Sequence, residues 1–405
     1  MDLRVWGVCL AVVMAGMLLG CGGSSGGKSG GGQPGPTTNG AAMTVLGYND
    51  LGMHCMNQDF SEMMILPPYN TLHAQVIDRR GDGPRLVTSG ISVGYTIPGN
   101  THSADKTNFW SFAKPLLGVS PAQNIGLTGN GLSGMMTANP SGDWSATGIP
   151  LTPITDAGQE NAYQLATVTV TANGKTMAQT QAVTPVSWEI SCNLCHNTAG
   201  ISTATDILRA HDRLHGTTLE AQKPVLCGQC HQQAPLGTTG QAGVPPLSTS
   251  MHSAHASRMA PVLGQVNNVA CYACHPGIRT HCLRDVHFSG GMTCTDCHTS
   301  IEAVGSAGRR PWVDEPRCAD CHGKTNPSLQ YEQPNTLYRD SRGHHGVHCS
   351  ACHGSPHAIT PTVVAADNVQ AVTVQGHAGT INKCTVCHSQ QPGDSFDHRF
   401  SGGGN

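Results

Sequence analysis

The strictest alternation of apolar and polar residues in this 405-residue chain lies in "QLATVTVTANGKTMAQTQAVTPVSWEI", residues 164–190. Apolar side chains return at every second position through Val168 and Val170, Asn173-Gly174 supplies a tight turn, and a second extended run follows. The pattern predicts a β-hairpin. Met43 to Tyr48, Thr71 to Asp78 and Leu86 to Ile97 are further extended candidates, punctuated by Gly, Pro, Asn and Asp. Residues 42–190 therefore read as an all-β domain, a small sandwich or barrel. Beyond residue 190 the alternation stops. The best helix there is "TDILRAHDRLHG", with Thr205 as cap, Gly216 as terminator, and Ile207, His211, Leu214 and His215 on one face. The rest of 191–390 is expected to be coil, turns and short helices, with 391–405 as a flexible tail.

The first twenty residues have a different pattern. Arg4 precedes fifteen largely apolar residues, Val5 to Leu19, short for a membrane span of about twenty residues but suited to a signal peptide. Leu18-Leu19-Gly20-Cys21 resembles a bacterial lipoprotein signal, which implies cleavage before Cys21 and lipid on that residue; the alternative is an ordinary signal peptide with a chance cysteine. Several acyl chains on one residue anchor stably. Residues 21–41, rich in Gly, Ser and Pro, read as the lipidated cysteine and its tether. The expected location is the cell envelope after export, favouring the outer membrane because Gly22 is not the acidic residue that marks inner-membrane retention.

Composition sharpens the division. Between Cys192 and His388 only five aromatic residues occur, Tyr272, Phe288, Trp312, Tyr331 and Tyr338. So few large apolar side chains bury little area by themselves. The net charge of −3 and pI near 6.7 argue against a nucleic-acid partner.

What this region has instead is cysteine and histidine in one recurring order. Cys-x-x-Cys-His stands at Cys192, Cys195 and His196; at Cys227, Cys230 and His231; at Cys271, Cys274 and His275; and at Cys294, Cys297 and His298. It returns at Cys318, Cys321 and His322; at Cys349, Cys352 and His353; and at Cys384, Cys387 and His388. The pattern reads as c-type haem attachment. Two thiols add to the porphyrin vinyl groups, and the next histidine reaches the iron from one face. Seven copies imply seven covalent haems, whose apolar discs would supply the missing core. Paired zinc knuckles and thioredoxin-like motifs are the other uses of Cys-x-x-Cys. Neither requires a histidine after every second cysteine, and no βαβ pattern surrounds any copy.

A second axial ligand is then needed for each iron. Twelve non-motif histidines lie beyond residue 190, against three methionines, Met251, Met259 and Met292, so His/His ligation is expected at most irons. His287 and His377 stand seven residues before a motif, His345 four, and His211 and His255 sixteen; these are the first choices, followed by His215, His252 and His357. Both axial positions filled would leave irons that exchange electrons and bind no substrate.

Four cysteines lie outside the motifs. Cys9 falls in the signal peptide and Cys21 takes lipid, so Cys55 and Cys282 remain, and two thiols in an oxidising compartment predict one disulfide. A copper site around "GMHCMN", with Met53, His54, Cys55 and Met56, is the alternative use of Cys55.

With these motifs the chain resembles the multihaem c-type cytochromes of metal-reducing bacteria of the Geobacter kind. "YNDLGMHC", "ILPPYNTLHAQV", "NIGLTGNGLSG" and "GIPLTPI" look like a non-haem module that accompanies some of them. The resemblance implies electron transfer in the envelope toward other redox proteins or extracellular acceptors, not an enzyme with a catalytic residue. Two alternatives stay open: a multihaem reductase of small nitrogen or sulfur substrates, and a subunit of an extracellular cytochrome filament.

Overall fold

The computed structural model describes residues 42–393; the signal, lipidation and tether expectations on 1–41, and most of the predicted tail with His398, lie outside them. Residues 43–187 are rich in β-structure. The strands are β1 (Met43–Tyr48), β2 (His54–Cys55), β3 (Met63–Met64), β4 (Asn70–Asp78), β5 (Arg85–Leu86), β6 (Ser92–Thr96), β7 (Ser133–Met135), β8 (Thr137–Ala138), β9 (Trp144–Ile149), β10 (Tyr163–Ala172) and β11 (Lys175–Ser187). One sheet runs β1-β4-β9-β8 with β5 on β4, and a second runs β2-β11-β10-β6-β7. Val45, Leu72 and Ile149 of the first sheet and Val93, Val168 and Val186 of the second share one buried apolar cluster.

The β10–β11 hairpin turns at Asn173 and Gly174, both with positive φ (50° and 72°), as a two-residue hairpin turn requires. The extended run expected over Leu86 to Ile97 is instead two strands in different sheets: β5 pairs with β4, and β6 with β10. Gly90, at φ 72°, lies in the crossing between them. A helix interrupts the β-region, α1 (Phe109–Leu117), burying Phe109, Ala113 and Leu116 on one stripe. Pro115 inside it hides the helical pattern from a propensity reading.

From residue 191 onward, helices and turns are short. They include α2 (Thr203–His215), α3 (Leu247–His255), α4 (Val286–Ser289), α5 (Cys294–His298), α6 (Ile301–Val304), α7 (Cys318–Thr325), α8 (Cys349–His353) and α9 (Ala365–Gln375). The α2 cap is Ser202, whose side chain accepts from Thr205 N–H. Thr205, the expected cap, donates instead to Glu62, at 2.5 Å. Gly216, the expected terminator, ends the helix in the left-handed conformation. Thr205 and Leu208 are the residues α2 buries.

Polar anchors join the later segments to the β-region. The Glu189 carboxylate accepts backbone N–H groups from Ile278, Arg279 and Thr280 at 2.6–3.0 Å. Gln75 accepts from His348 N–H at 2.8 Å and donates to Gly346 O at 3.0 Å. Gln370 on α9 bonds both the N–H and the C=O of Gly47, at 2.7 and 3.0 Å. Arg284 has no exposed side-chain surface. Its guanidinium pairs with Asp367 at 2.6 Å, donates to Gly52 O at 2.5 Å and lies 4.9 Å above the Tyr163 ring.

Removing one partner of a buried ion pair strands the other charge, at about 3–5 kcal/mol. Arg284→Met is therefore expected to lower unfolding free energy by about that much, read by denaturant titration. Adding Asp367→Leu should recover part of the loss.

Candidate functional site

All seven Cys-x-x-Cys-His segments fold into a single helical turn. Four are 3-10 turns in which the motif histidine N–H donates to the first cysteine's carbonyl, at 2.8–3.0 Å for His196, His231, His275 and His388. The other three form α5 and α8 and the start of α7. One turn brings residues i, i+3 and i+4 to the same side, so both sulfurs and the imidazole of each motif face one space. In the second motif, Cys230 N–H donates to Cys227 O at 3.3 Å, and Cys230 O accepts from Gln241 N–H at 2.8 Å. Cys230 is half-buried, and its backbone bond to Gln241 ties this turn to the segment that leads into α3.

Six of the motif histidines face a second histidine across that space. Ring centres are 6.4 Å apart for His196–His255, 6.3 Å for His211–His231, 6.0 Å for His252–His275, 6.1 Å for His287–His322, 6.1 Å for His298–His357 and 6.0 Å for His344–His388. These rings are too far apart to bond one another. Two imidazoles on opposite sides of one metal, each with a metal–nitrogen bond of about 2.0 Å, have centres roughly 6.3 Å apart. The remaining motif histidine, His353 of the sixth motif, has Nδ1 3.3 Å from Thr380 Oγ1.

The second histidines are also held by their other nitrogen. His252 and His255 on α3 donate from Nδ1 to the carbonyls of Ser248 and Met251, both at 2.7 Å. His287 Nδ1 lies 3.1 Å from Asp285 Oδ2, and His211 Nδ1 2.9 Å from Thr217 Oγ1. A carbonyl can only accept, so Nδ1 carries the proton and Nε2 keeps its lone pair at His252 and His255. That is the arrangement of a metal-ligating histidine. Protein packed around His275 and His298 pushes both pKa values down to about 4, helped by neighbouring histidines, so both rings are neutral at pH 7. Neutral imidazole is the ligating form.

A cavity of about 750 Å³ opens beside Cys297 and His298, walled by Val304, Leu337, Arg309 and Arg317 among others. Its lining mixes apolar side chains with the guanidinium groups of Arg309, Arg310 and Arg317 and the carboxylates of Asp314 and Glu315, which pair with Arg310 and Arg309; an apolar macrocycle that carries carboxylates would meet both apolar contacts and cations there. The residues present thus fit a c-type haem on two observations, the histidine gaps and this cavity. Among the described residues no group of three or more His, Cys, Asp or Glu is placed to hold a bare metal ion.

The motifs also adjoin one another. Cys274 of the third lies within electrostatic reach of Cys192 and Cys195 of the first, and Cys271 within reach of Cys294 of the fourth. Cys297 is in reach of Cys321, Cys318 of Cys349, and Cys352 of Cys387. The string of motifs is first, third, fourth, fifth, sixth, seventh. The second joins through α2 and α3: His211 faces His231, whose Nδ1 donates to Pro245 O at 2.8 Å, just before α3.

Several sequence choices land elsewhere. His345 lies beside His344, and His344 is the ring that faces His388. His215 sits 4.7 Å from His211 and faces no motif histidine. His377 Nδ1 is 3.0 Å from Ala378 O, and His377 is not among the facing pairs. Proximity in sequence also misassigns partners. His287 faces His322 of the fifth motif, although it stands before the fourth, and His255 reaches back to His196 of the first.

Cys55 and Cys282 are free thiols in place of the expected disulfide. They are neighbours, and burial, with Cys282 nearby, pushes the Cys55 thiol up to about 12. The copper alternative finds no gathering of ligands: His54 turns to Asn49 and Asp50, at 2.9 and 3.0 Å, and Met56 and Met64 are buried in the β-region core.

Aligned axial imidazole planes split the iron orbitals most strongly and give a rhombic low-spin signal, whereas crossed planes give one extreme g value. His252 and His275 are nearly parallel, at 18°, while the other five pairs cross at 50–85°. Were haem iron held between these pairs, His252→Ala would remove a rhombic signal and His255→Ala a crossed-plane one, each read by low-temperature electron paramagnetic resonance of the oxidised protein.

No protein-family model, curated protein or solved structure matches this chain.

Proposed function

We propose that the chain is a seven-haem c-type cytochrome that passes electrons along a string of closely placed haems. The observation that carries this reading is the set of six motif histidines each facing a second histidine at 6.0–6.4 Å. Each bound haem would supply one-electron exchange at its iron. The chain's own residues do the rest. The paired cysteines of each motif fix the macrocycle covalently, and the motif histidine sets one face. His255, His211, His252, His357, His287 and His344 close the other face in motifs one to five and seven. Closed faces at these six motifs favour transfer over substrate chemistry there, so those six are no reductase centres in this reading.

Helix α3 has a particular part in it. His252 and His255 stand three residues apart on one helix and serve the third and first motifs, which forces those two groups to be neighbours. The two-sheet β-region, a sandwich or barrel in outline, acts as the frame against which the string is fixed. Lipid on Cys21 and the 21–41 tether hold the whole at the envelope, with the outer membrane favoured, where partners are other redox proteins or extracellular acceptors. Anchoring of this kind disfavours a released filament subunit.

The test is the mass of the exported protein together with a coulometric titration. Seven haem masses on fourteen cysteines, seven electrons taken up per chain, and no carbon monoxide adduct at the six paired haems are expected. Fewer haems, or more than one carbon monoxide adduct per chain, would contradict the conduit and favour an enzyme.

A further inference from the structure

The five facing histidines whose Nδ1 partner is described differ in what holds that nitrogen. Four use oxygen: Thr217 Oγ1 for His211, the Ser248 and Met251 carbonyls for His252 and His255, and Asp285 Oδ2 for His287. His357 uses sulfur, with Cys282 Sγ 3.7 Å from its Nδ1. A thiol sulfur is a weak acceptor, and its long reach suits this distance.

The surrounding chain is built to keep that contact. Arg284 N–H donates to His357 O at 3.0 Å and Val286 N–H to Ile359 O at 3.1 Å, which ties the turn bearing Cys282 to the segment bearing His357. Cys282 N–H is itself held by Pro276 O at 3.1 Å. The Arg284 guanidinium spans Gly52 O and Cys282 O, at 2.5 and 3.3 Å. From the other side, a Cβ at Gly52 would come within 1.9 Å of Pro356 O, so only glycine lets the β-region press so closely on this loop. His357 adopts φ 64°, a left-handed conformation uncommon outside glycine, and Ser355 just before it donates to Asn49 O at 2.8 Å. A backbone held in that region needs the surrounding structure to fix it.

We propose that Cys282 is the positioning residue for His357: its sulfur accepts the Nδ1 hydrogen and so aims Nε2 across the gap at His298. The inference rests on the seven-haem reading and deepens it, since it makes the fourth haem the one whose distal ligand is steadied by sulfur. An acceptor at Nδ1 raises the basicity of the ligating nitrogen and favours the ferric state. Loss of the acceptor therefore raises that haem's midpoint potential. Cys55 neighbours Cys282 but has no part in this contact.

The experiment uses the full exported chain with Cys282→Ala, Cys282→Ser and Cys55→Ala. Haem per chain is counted by mass first, followed by a stepwise potentiometric titration and the resonance spectrum of each oxidised protein. Cys282→Ala is expected to raise the midpoint of one haem of seven and to alter one low-spin signal. Cys282→Ser, which keeps an acceptor, is expected to return both toward wild type, and Cys55→Ala to leave them unchanged. A seven-haem Cys282→Ala protein with all midpoints and signals unmoved overturns the inference and leaves the functional reading intact. So does a Cys55→Ala protein that shows the same shift, since the two thiols would then act as a pair. A wild-type chain without covalent haem overturns the functional reading, and this inference with it. If Cys282→Ala fails to fold, Cys282→Val, which fills the space without offering an acceptor, takes its place with the same two outcomes: a shift confined to one haem supports the role, and midpoints and signals unmoved at every haem overturn it.

Discussion

The gap between facing histidines is the constraint on which the remainder of the structure depends. A gap wide enough for one metal has to be held open at six places, in a region with five aromatic residues between Cys192 and His388. The apolar clusters there are small: one gathers Met259, Val262, Val266, Tyr272 and Ala273, and another shares its residues with β1. Polar bonds to the ring nitrogens carry much of the precision. Helix α3 shows the economy of the arrangement, because the same backbone carbonyl pattern orients His252 and His255 toward two different motifs.

The β-region is where ordinary hydrophobic burial is concentrated, and its role follows from where it touches the later segments. Glu189 gathers the 278–280 backbone, Gln75 holds the residues just before Cys349, and Arg79 donates to Thr385 O at 2.8 Å within the seventh motif. These contacts meet the third, sixth and seventh motifs. Glu62 does the same for α2, accepting from Ser202 and Thr205. A stable two-sheet body thus fixes turns that have little core of their own. The buried Arg284–Asp367 pair is costly in isolation. Here it specifies how the Cys282 turn and α9 meet the Gly52 loop.

The strands and the motifs were legible in the sequence because both are local. Alternation marked the β10–β11 hairpin, Asn173-Gly174 marked its turn, and seven identical spacings marked the cysteine turns. What the sequence hid is long-range. His357 faces His298 from 59 residues away and His196 faces His255 over the same interval, so distance to the nearest motif could not reveal either partner. His344 and His345 are adjacent and chemically alike, and only the local backbone, with both at positive φ, decides which ring meets His388. Pro115 masked α1, whose apolar stripe is plain once the helix is known.

The central claim is that paired imidazoles close both faces at six of the seven irons, and the most direct measurement is the electron paramagnetic resonance spectrum of the fully oxidised protein with haem counted on the same sample. The account predicts low-spin ferric signals from at least six haems, with a minority rhombic component from the near-parallel His252–His275 pair and a majority of crossed-plane type. A high-spin ferric signal from more than one haem would contradict it, because a paired iron would then have a face that no histidine closes.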